Sequence, residues 1–469
     1  MKTHYSILHI SDLHKGENND FNNLLASLCN DVDSYEQYIP KPEIIVVSGD
    51  LAEGANGDGA EQKIIEQYKE VESFLNGLVA KFLNGDKRRI IIVPGNHDLF
   101  RDATIESMKI IPDEVREAAK KQYLKGNPEY RWNWNDFSFY IIENKDTYAS
   151  RFRLFVDFYN RFYGGIRKII DCDILNDVID LPDYNISFAL FNSCFGIDHL
   201  NQIGAISTKA ISGAQSELSK MYKFGRFIIG VWHHNISGIP TQMNYLDPRI
   251  LHSLTDFHIQ VGLYGHQHHA EVLHEYRDVF KQGRMTLISS GCLYGRGKTM
   301  PEGTHCQYNI IEISQDHQDK KISLTLHVRE DETGWDIPSW RKKQVDGKDS
   351  FQMQFDLPEP NYDRLIQHYV DMAKVEGCYA EAISYLVEIR EKNQSADKFI
   401  DEFLKKIPNE QIIKLAIVPK TEAQVISVLG AYNENHTWRE FDKVVKLARD
   451  LGLTSPLINV IVEDAQKKR

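Results

Sequence analysis

At 469 residues the chain exceeds what one ordinary hydrophobic core organises, so two domains are expected. Its 42% apolar and 26% charged residues are those of a soluble globular protein, and no apolar run approaches the roughly 18–20 residues that span a bilayer. The net charge of −12 argues against a broadly basic nucleic-acid coat, although a local site can carry the opposite sign.

The N-terminus leads straight into a strand-like run, without the apolar stretch and cleavage site of a signal peptide. The six cysteines are scattered, with no CxxC pair. Together these features predict reduced thiols, a cytoplasmic location and no membrane association.

The first stretch alternates strand, loop and helix. Ser6–Ile10 reads as a strand and is followed by Ser11-Asp12-Leu13-His14. Leu24, Leu25, Leu28 and Val32 give Phe21–Tyr35 helical spacing. Glu43–Val47 is a second strand ending at Gly49-Asp50, and an amphipathic helix is predicted over Gly59–Leu83. Arg89–Val93 is a third strand, ending at Gly95-Asn96-His97-Asp98. The polar motifs therefore fall just past strand C-termini, where open α/β sheets place their ligand sites.

Residues 99–180 are rich in rings and read as a helical insertion. Phe152, Phe155, Tyr159, Phe162 and Tyr163 fall at helical spacing. The plain expectation is a small core of the insertion's own; the sharper one is a cap that stacks on a nucleobase. Strands resume at Ile186–Phe191, at Phe227–Val231 before Trp232-His233-His234-Asn235, and at Ile259–Leu263 before Gly265-His266-Gln267-His268. Met285–Ile288 and Tyr308–Ile313 read as closing strands of a second sheet, with Ile322–Val328 another.

The expected organisation is a catalytic-type domain over 1–345, a linker over 346–360 marked by Gly347, Pro358 and Pro360, and a helical domain over 361–469. That last domain carries 16 Lys and Arg against 17 Asp and Glu, so it has no basic stripe. An interaction or self-association role is expected for it.

Five short segments now stand out, each offering carboxylate, amide or imidazole donors beside an apolar run. Two adjacent divalent ions need such donors gathered from distant loops, with a carboxylate to bridge them. In this order the segments resemble the calcineurin-like metallophosphoesterase superfamily over about residues 4–315. The spacing is nearer to its cyclic-nucleotide-phosphodiesterase-like and nuclease-like branch than to its protein phosphatases. The aromatic insertion is similar in placement to that of metallophosphoesterase effectors in bacterial immune proteins.

The resemblance implies a four-layer α-β-β-α sandwich; the all-α domain expected over 361–469 is not part of the shared fold. It implies that Asp12, His14 and His268 bind a first metal, that Asn96, His233 and His266 bind a second, and that Asp50 bridges them. It implies a metal-activated hydroxide as nucleophile and His97 as general acid or phosphoryl clamp, oriented by a carboxylate at Glu53, with Asp98 as the alternative partner. Mn²⁺ leads the candidate ions, with Fe, Zn²⁺, Co²⁺ and Ni²⁺ also suited to these ligands. His234, Tyr264 and Arg296 are expected on the substrate side, and Trp232, Tyr294 and Arg101 are further pocket candidates. The expected activity is hydrolysis of a nucleotide or nucleic-acid phosphodiester. A phosphomonoesterase, including a phosphoprotein phosphatase, is the alternative, but the motifs lack the paired arginines that grip a dianionic phosphate.

Overall fold

The computed structural model describes all residues except 1, 17–19, 36, 239–243, 278–283, 295–299, 301–303, 334–337 and 346. They divide into two compact units, residues 1–358 and 359–469.

The first unit opens with β1 (His4–Ile10), α1 (Phe21–Tyr35), β2 (Pro42–Val47), α2 (Ala60–Leu83) and β3 (Ile90–Ile92). The insertion follows as α3 (Arg101–Glu106), β4 (Met108–Ile110), α4 (Arg116–Leu124), β5 (Tyr130–Asn133), β6 (Ser138–Ile142), α5 (Lys145–Ala149) and α6 (Arg153–Tyr163). Next come β7 (Val178–Leu181), β8 (Ile186–Leu190), α7 (Thr208–Lys223), β9 (Phe227–Val231), α8 (Arg249–Asp256), β10 (Ile259–Tyr264), β11 (Glu271–Arg277) and β12 (Arg284–Ser289). The unit closes with β13 (Gln307–Asp316), β14 (Lys321–Asp331), β15 (Trp340–Lys343) and β16 (Phe351–Asp356).

Two sheets face each other. One runs β15-β14-β13-β1-β2-β3 with β16 also paired to β14; the other runs β11-β12-β10-β9-β8-β7. Tyr5 and Ile7 of β1 turn toward the second sheet, into a core shared with Phe188, Ile229 and Val261. Leu8 and Ile10 turn the other way, onto α1 and α2. Strands covered on both faces read as near-continuous apolar runs, as Ile44–Val47 and Ile90–Ile92 do; in β1 the buried Ser6 and His9 are the exceptions, bonded to the Pro40 carbonyl and the Ser48 hydroxyl. α1 and α2 supply the outer layer through Leu24, Leu28, Ile64, Val71, Leu75 and Leu78. Each such side chain contributes about 1.5–3 kcal/mol on burial. α7 and α8 cover the second sheet through Ala214, Leu218, Leu251 and Leu254. The unit is thus the four-layer α-β-β-α sandwich.

Several expectations are corrected. Tyr308–Ile313 belongs to the first sheet, where β13 runs antiparallel to β1 with Ile7 opposite Ile311. The insertion is not purely helical, since β4, β6 and β5 form a three-stranded antiparallel sheet. Nor does the aromatic helix make its own core. Phe155, Phe158, Tyr159, Phe162 and Tyr163 of α6 join the main core, and Phe158 stacks on Tyr68 of α2 with ring centroids 4.9 Å apart. The rings left outward are elsewhere, Trp134 at 73% and Phe137 at 60% exposure. The stretch expected as a linker, 346–360, contains β16, whose Met353 enters the inter-sheet core opposite Leu324.

The second unit comprises α9 (Tyr362–Glu376), α10 (Tyr379–Ile389), α11 (Ser395–Leu404), α12 (Asn409–Leu415), α13 (Glu422–Glu434), α14 (Trp438–Asp450) and α15 (Pro456–Lys468). These seven helices fill the stretch expected to be helical over 361–469. Leu365, Tyr369, Ile383, Leu386, Phe403 and Leu429 are buried in it. Among the described residues no helix is long and apolar enough to cross a membrane.

Candidate metal centre

Three neighbouring loops begin the site. Past β1 the chain stays beside the loop that follows β2: Asp12 N–H donates to the Gly49 carbonyl at 3.0 Å and His14 N–H to the Asp50 carbonyl at 3.1 Å. Gly49 has φ +99°, and a Cβ there would lie 2.6 Å from His233 Nδ1 and 2.8 Å from the Gly95 nitrogen. Glycine is therefore required both by conformation and by the approach of its neighbours. Gly95 sits just as tightly, since a Cβ would meet Asp50 Oδ1 at 2.1 Å. The backbone is strained at the donors themselves. Asp12, His14, Asp50, His266 and His268 all hold φ between +42° and +71°. Non-glycine residues enter that region only where surrounding structure forces them.

The expected ligand residues come together as two clusters. In the first, His268 Nε2 lies 3.3 Å from Asp12 Oδ1 and 3.1 Å from His14 Nε2, which is itself 3.7 Å from Asp12 Oδ1. In the second, His233 Nε2 lies 3.1 Å from Asn96 Oδ1 and 3.3 Å from His266 Nδ1. Asp50 Oδ2 stands between them, 3.2 Å from His233 Nε2 and 4.0 Å from His14 Nε2. Donors around an ion held at about 2.0–2.2 Å are spaced in this range. The facing nitrogens make the same point: two imidazole lone pairs cannot approach to such distances without a proton or a cation between them. The residues present fit two divalent ions.

Burial and charge set the protonation of these donors. Burial lowers the pKa of His14 and of His266 to about 4, which leaves them neutral and able to ligate. Burial opposes charge on His233 too, but the Asp50 carboxylate outweighs it and raises that pKa to about 9, so an ion taken up at Nε2 would displace a proton. Burial pushes Asp50 up, yet the His233 and His97 imidazoles beside it hold it well below the ordinary carboxylate range.

Supporting contacts fix each ring. His233 Nδ1 donates to the Ser48 carbonyl at 2.8 Å, which leaves Nε2 for ligation. Ser193 Oγ accepts the backbone N–H groups of His233 and His234 at 3.0 Å each and meets His234 Nδ1 at 2.9 Å. Sequence reasoning missed Ser48 and Ser193, because neither carries a motif of its own.

His97 is oriented by Glu53, but not through the carboxylate. Its Nδ1 lies 2.9 Å from the Glu53 main-chain carbonyl, and its backbone N–H donates to Asp50 Oδ1 at 2.8 Å. The Glu53 carboxylate turns instead against Gly16. Asp98, the alternative partner, does not face His97. It accepts N–H groups from Leu51 at 3.1 Å, Ala52 at 3.2 Å and Gly95 at 2.8 Å, and the Tyr68 hydroxyl at 3.0 Å, tying the second and third loops together.

The clusters open into a cavity of about 770 Å³. His14, Asp50, Asn96, His97, His266 and His268 form one side, and His234, Arg101 and Tyr294 also line it. Tyr264 does not. It is 1% exposed and packs in the outer core with Ala189, Leu251 and Leu287. Trp232 is buried in that same core. Arg296 lies outside the described residues. His199, given no role by its sequence context, does line the cavity.

A family model described as calcineurin-like phosphoesterase matches residues 5–270. The DNA polymerase II small subunit of Methanocaldococcus jannaschii is 30% identical over 133 residues, 25% of this chain and 21% of that protein. The chain therefore spans about a fifth of the length of this curated relative. Among solved structures, a dimetal phosphatase from Danio rerio superposes with a TM-score of 0.36 at 11% identity, covering 76% of this chain and 100% of that one. Vps29 of Chaetomium thermophilum gives 0.26 at 8% identity, with 76% and 100% covered. With the family model spanning more than half of its length, the chain belongs to the calcineurin-like phosphoesterase family.

Proposed function

We propose that this chain is a dinuclear-metal-dependent phosphodiesterase that cleaves a nucleotide or nucleic-acid phosphodiester. The observation that carries this reading is the pair of donor clusters sharing Asp50 Oδ2 at the side of a roomy cavity whose described lining holds one arginine and no lysine. A diester bears one negative charge on its phosphorus, and two ions can neutralise it with little further cationic help. A monoester dianion asks for more cations than this lining offers. The volume also falls in the range of small-molecule sites, and its amides and apolar side chains suit a base and sugar. The match to a DNA polymerase subunit leans in the same direction.

In this reading Asp12, His14 and His268 would hold one ion and Asn96, His233 and His266 the other, with Asp50 placed to serve both. Bound there, the two ions would acidify water and stabilise charge on the phosphoryl oxygens. His97, with Nδ1 tied to the Glu53 carbonyl, keeps Nε2 to protonate the departing oxygen. Ser193 and Asp98 position the loops that carry these groups.

The test is Mn²⁺-dependent hydrolysis of bis-p-nitrophenyl phosphate, set against p-nitrophenyl phosphate. Diester turnover that is abolished by chelation and falls about 10²–10⁴-fold in His97→Ala is the expected result. Turnover of the monoester alone would move the assignment to a phosphomonoesterase.

A further inference from the structure

The cavity has a second polar end, supplied in part by the insertion. Arg101 opens α3 four residues past His97 and lines the cavity, and its exposed guanidinium has no ion pair or hydrogen bond among the described residues. Next to it is His199, half-buried, whose Nδ1 lies 3.0 Å from Thr104 Oγ1 of the same helix. The Thr104 hydroxyl already donates to the Arg101 carbonyl at 2.7 Å, so it accepts from Nδ1–H and turns the other ring nitrogen of His199 loose.

Asp198, one of the acids of the lining, is fully occupied. Asp198 Oδ2 receives Arg131 Nε at 2.7 Å and the Tyr148 hydroxyl at 3.0 Å, while Oδ1 receives the Leu200 and Asn201 N–H groups at 2.9 Å each. Arg131 is on β5 and Tyr148 on α5, so this buried pair also fastens the insertion to the 194–202 loop. Arg101 is left without a carboxylate partner among the described residues, in a cavity whose lining also offers the neutral amides of Asn56, Gln202 and Asn244, while the Glu53 carboxylate turns toward Gly16. A guanidinium so placed recognises a phosphate in bidentate fashion.

We propose that Arg101 anchors a subsite for a second phosphate, so that the preferred substrate carries a phosphate group besides the one being cleaved. The inference rests on the phosphodiesterase reading above and narrows its substrate class. His199 and Thr104 act as positioning residues that hold this end of the cavity in shape.

The experiment is calorimetric titration of the full-length, Mn²⁺-loaded protein with thymidine 5′-monophosphate and with thymidine 3′,5′-bisphosphate at low salt. The bisphosphate is expected to bind about tenfold tighter, as one added charge-assisted contact implies. In Arg101→Gln that preference falls to within about twofold, and Arg101→Lys, which keeps the charge but loses the fork, retains part of it. Equal affinities in the unaltered protein, or a preference that survives Arg101→Gln, would overturn the proposal. Titrated into the Mn²⁺-loaded His97→Ala protein, in which diester turnover is slow, trithymidylate binding tighter than the bisphosphate assigns the second phosphate to a strand, and the reverse order assigns it to a small nucleotide. Because these are binding measurements, they stand apart from the diester assay: loss of turnover there removes the phosphodiesterase reading without deciding the bisphosphate preference.

Discussion

At the scale of single residues, the candidate site depends on main-chain and hydroxyl contacts as much as on its donors. Ser193 satisfies three groups at once, two backbone N–H donors and the His234 ring. Replacing it with Ala leaves all three inside a buried wall, so Ser193→Ala is expected to weaken metal binding about 10- to 100-fold, measured by chelator competition. Unchanged affinity would show that His233 keeps its place without the Ser193 contact to its backbone N–H. The residues that cluster here could be picked from the sequence as candidate donors, because carboxylates, amides and imidazoles at strand ends advertise their chemistry. The role of Glu53 was half legible. Its position next to His97 is right, yet the contact is made by a carbonyl that every residue possesses, so side-chain identity could not have announced it. Tyr264 misled for the opposite reason: it neighbours Gly265 and His266 in sequence, but the strand's alternation turns it to the outer core.

At the scale of elements, the aromatic helix α6 is a structural stave of the main domain. Phe158 is fully buried against Tyr68, and Phe158→Ala is expected to cost about 3–5 kcal/mol, read as a lowered unfolding midpoint. Trp134→Ala, on a ring 73% exposed, is expected to move stability by no more than about 0.5 kcal/mol. A comparable loss from both would mean that the insertion's sheet is itself part of the core. Periodicity located α1, α2 and α6 well, since an amphipathic stripe records which face is covered. It could not assign β13 to a sheet. Both sheets share one apolar core, and a strand paired to β1 looks the same in sequence as one paired elsewhere. In β16, Phe351, Met353 and Phe355 alternate with Gln352, Gln354 and Asp356, so a strand signal was present. Gly347, Pro358 and Pro360 on either side masked it.

At the scale of the whole molecule, the boundary between the units follows β16. A chain ending at Pro358 keeps every strand of both sheets and is expected to fold, bind two metal ions per chain and retain diester turnover. One ending at Val345 removes β16, exposes the β14 edge and takes Met353 out of the inter-sheet core. It is expected to aggregate or to melt markedly lower, checked by light scattering and thermal denaturation side by side. Equal behaviour of the two would place the boundary earlier. A fall in the number of chains per particle on removing residues 359–469 would give those helices the self-association role expected of them.

The five donors with positive φ make the protein's durability and its usefulness pull in opposite directions. Each left-handed non-glycine residue costs on the order of 1 kcal/mol in the folded chain. A glycine at His268, where φ is +60°, relieves that cost while deleting an imidazole from the first cluster. His268→Gly is therefore expected to raise the midpoint of thermal unfolding of the chelator-treated protein while abolishing its metal-dependent turnover. The metal-free fold would then rest at a better minimum without its reactive centre than with it, and the bound ions would restore by mass action what their own ligands take away.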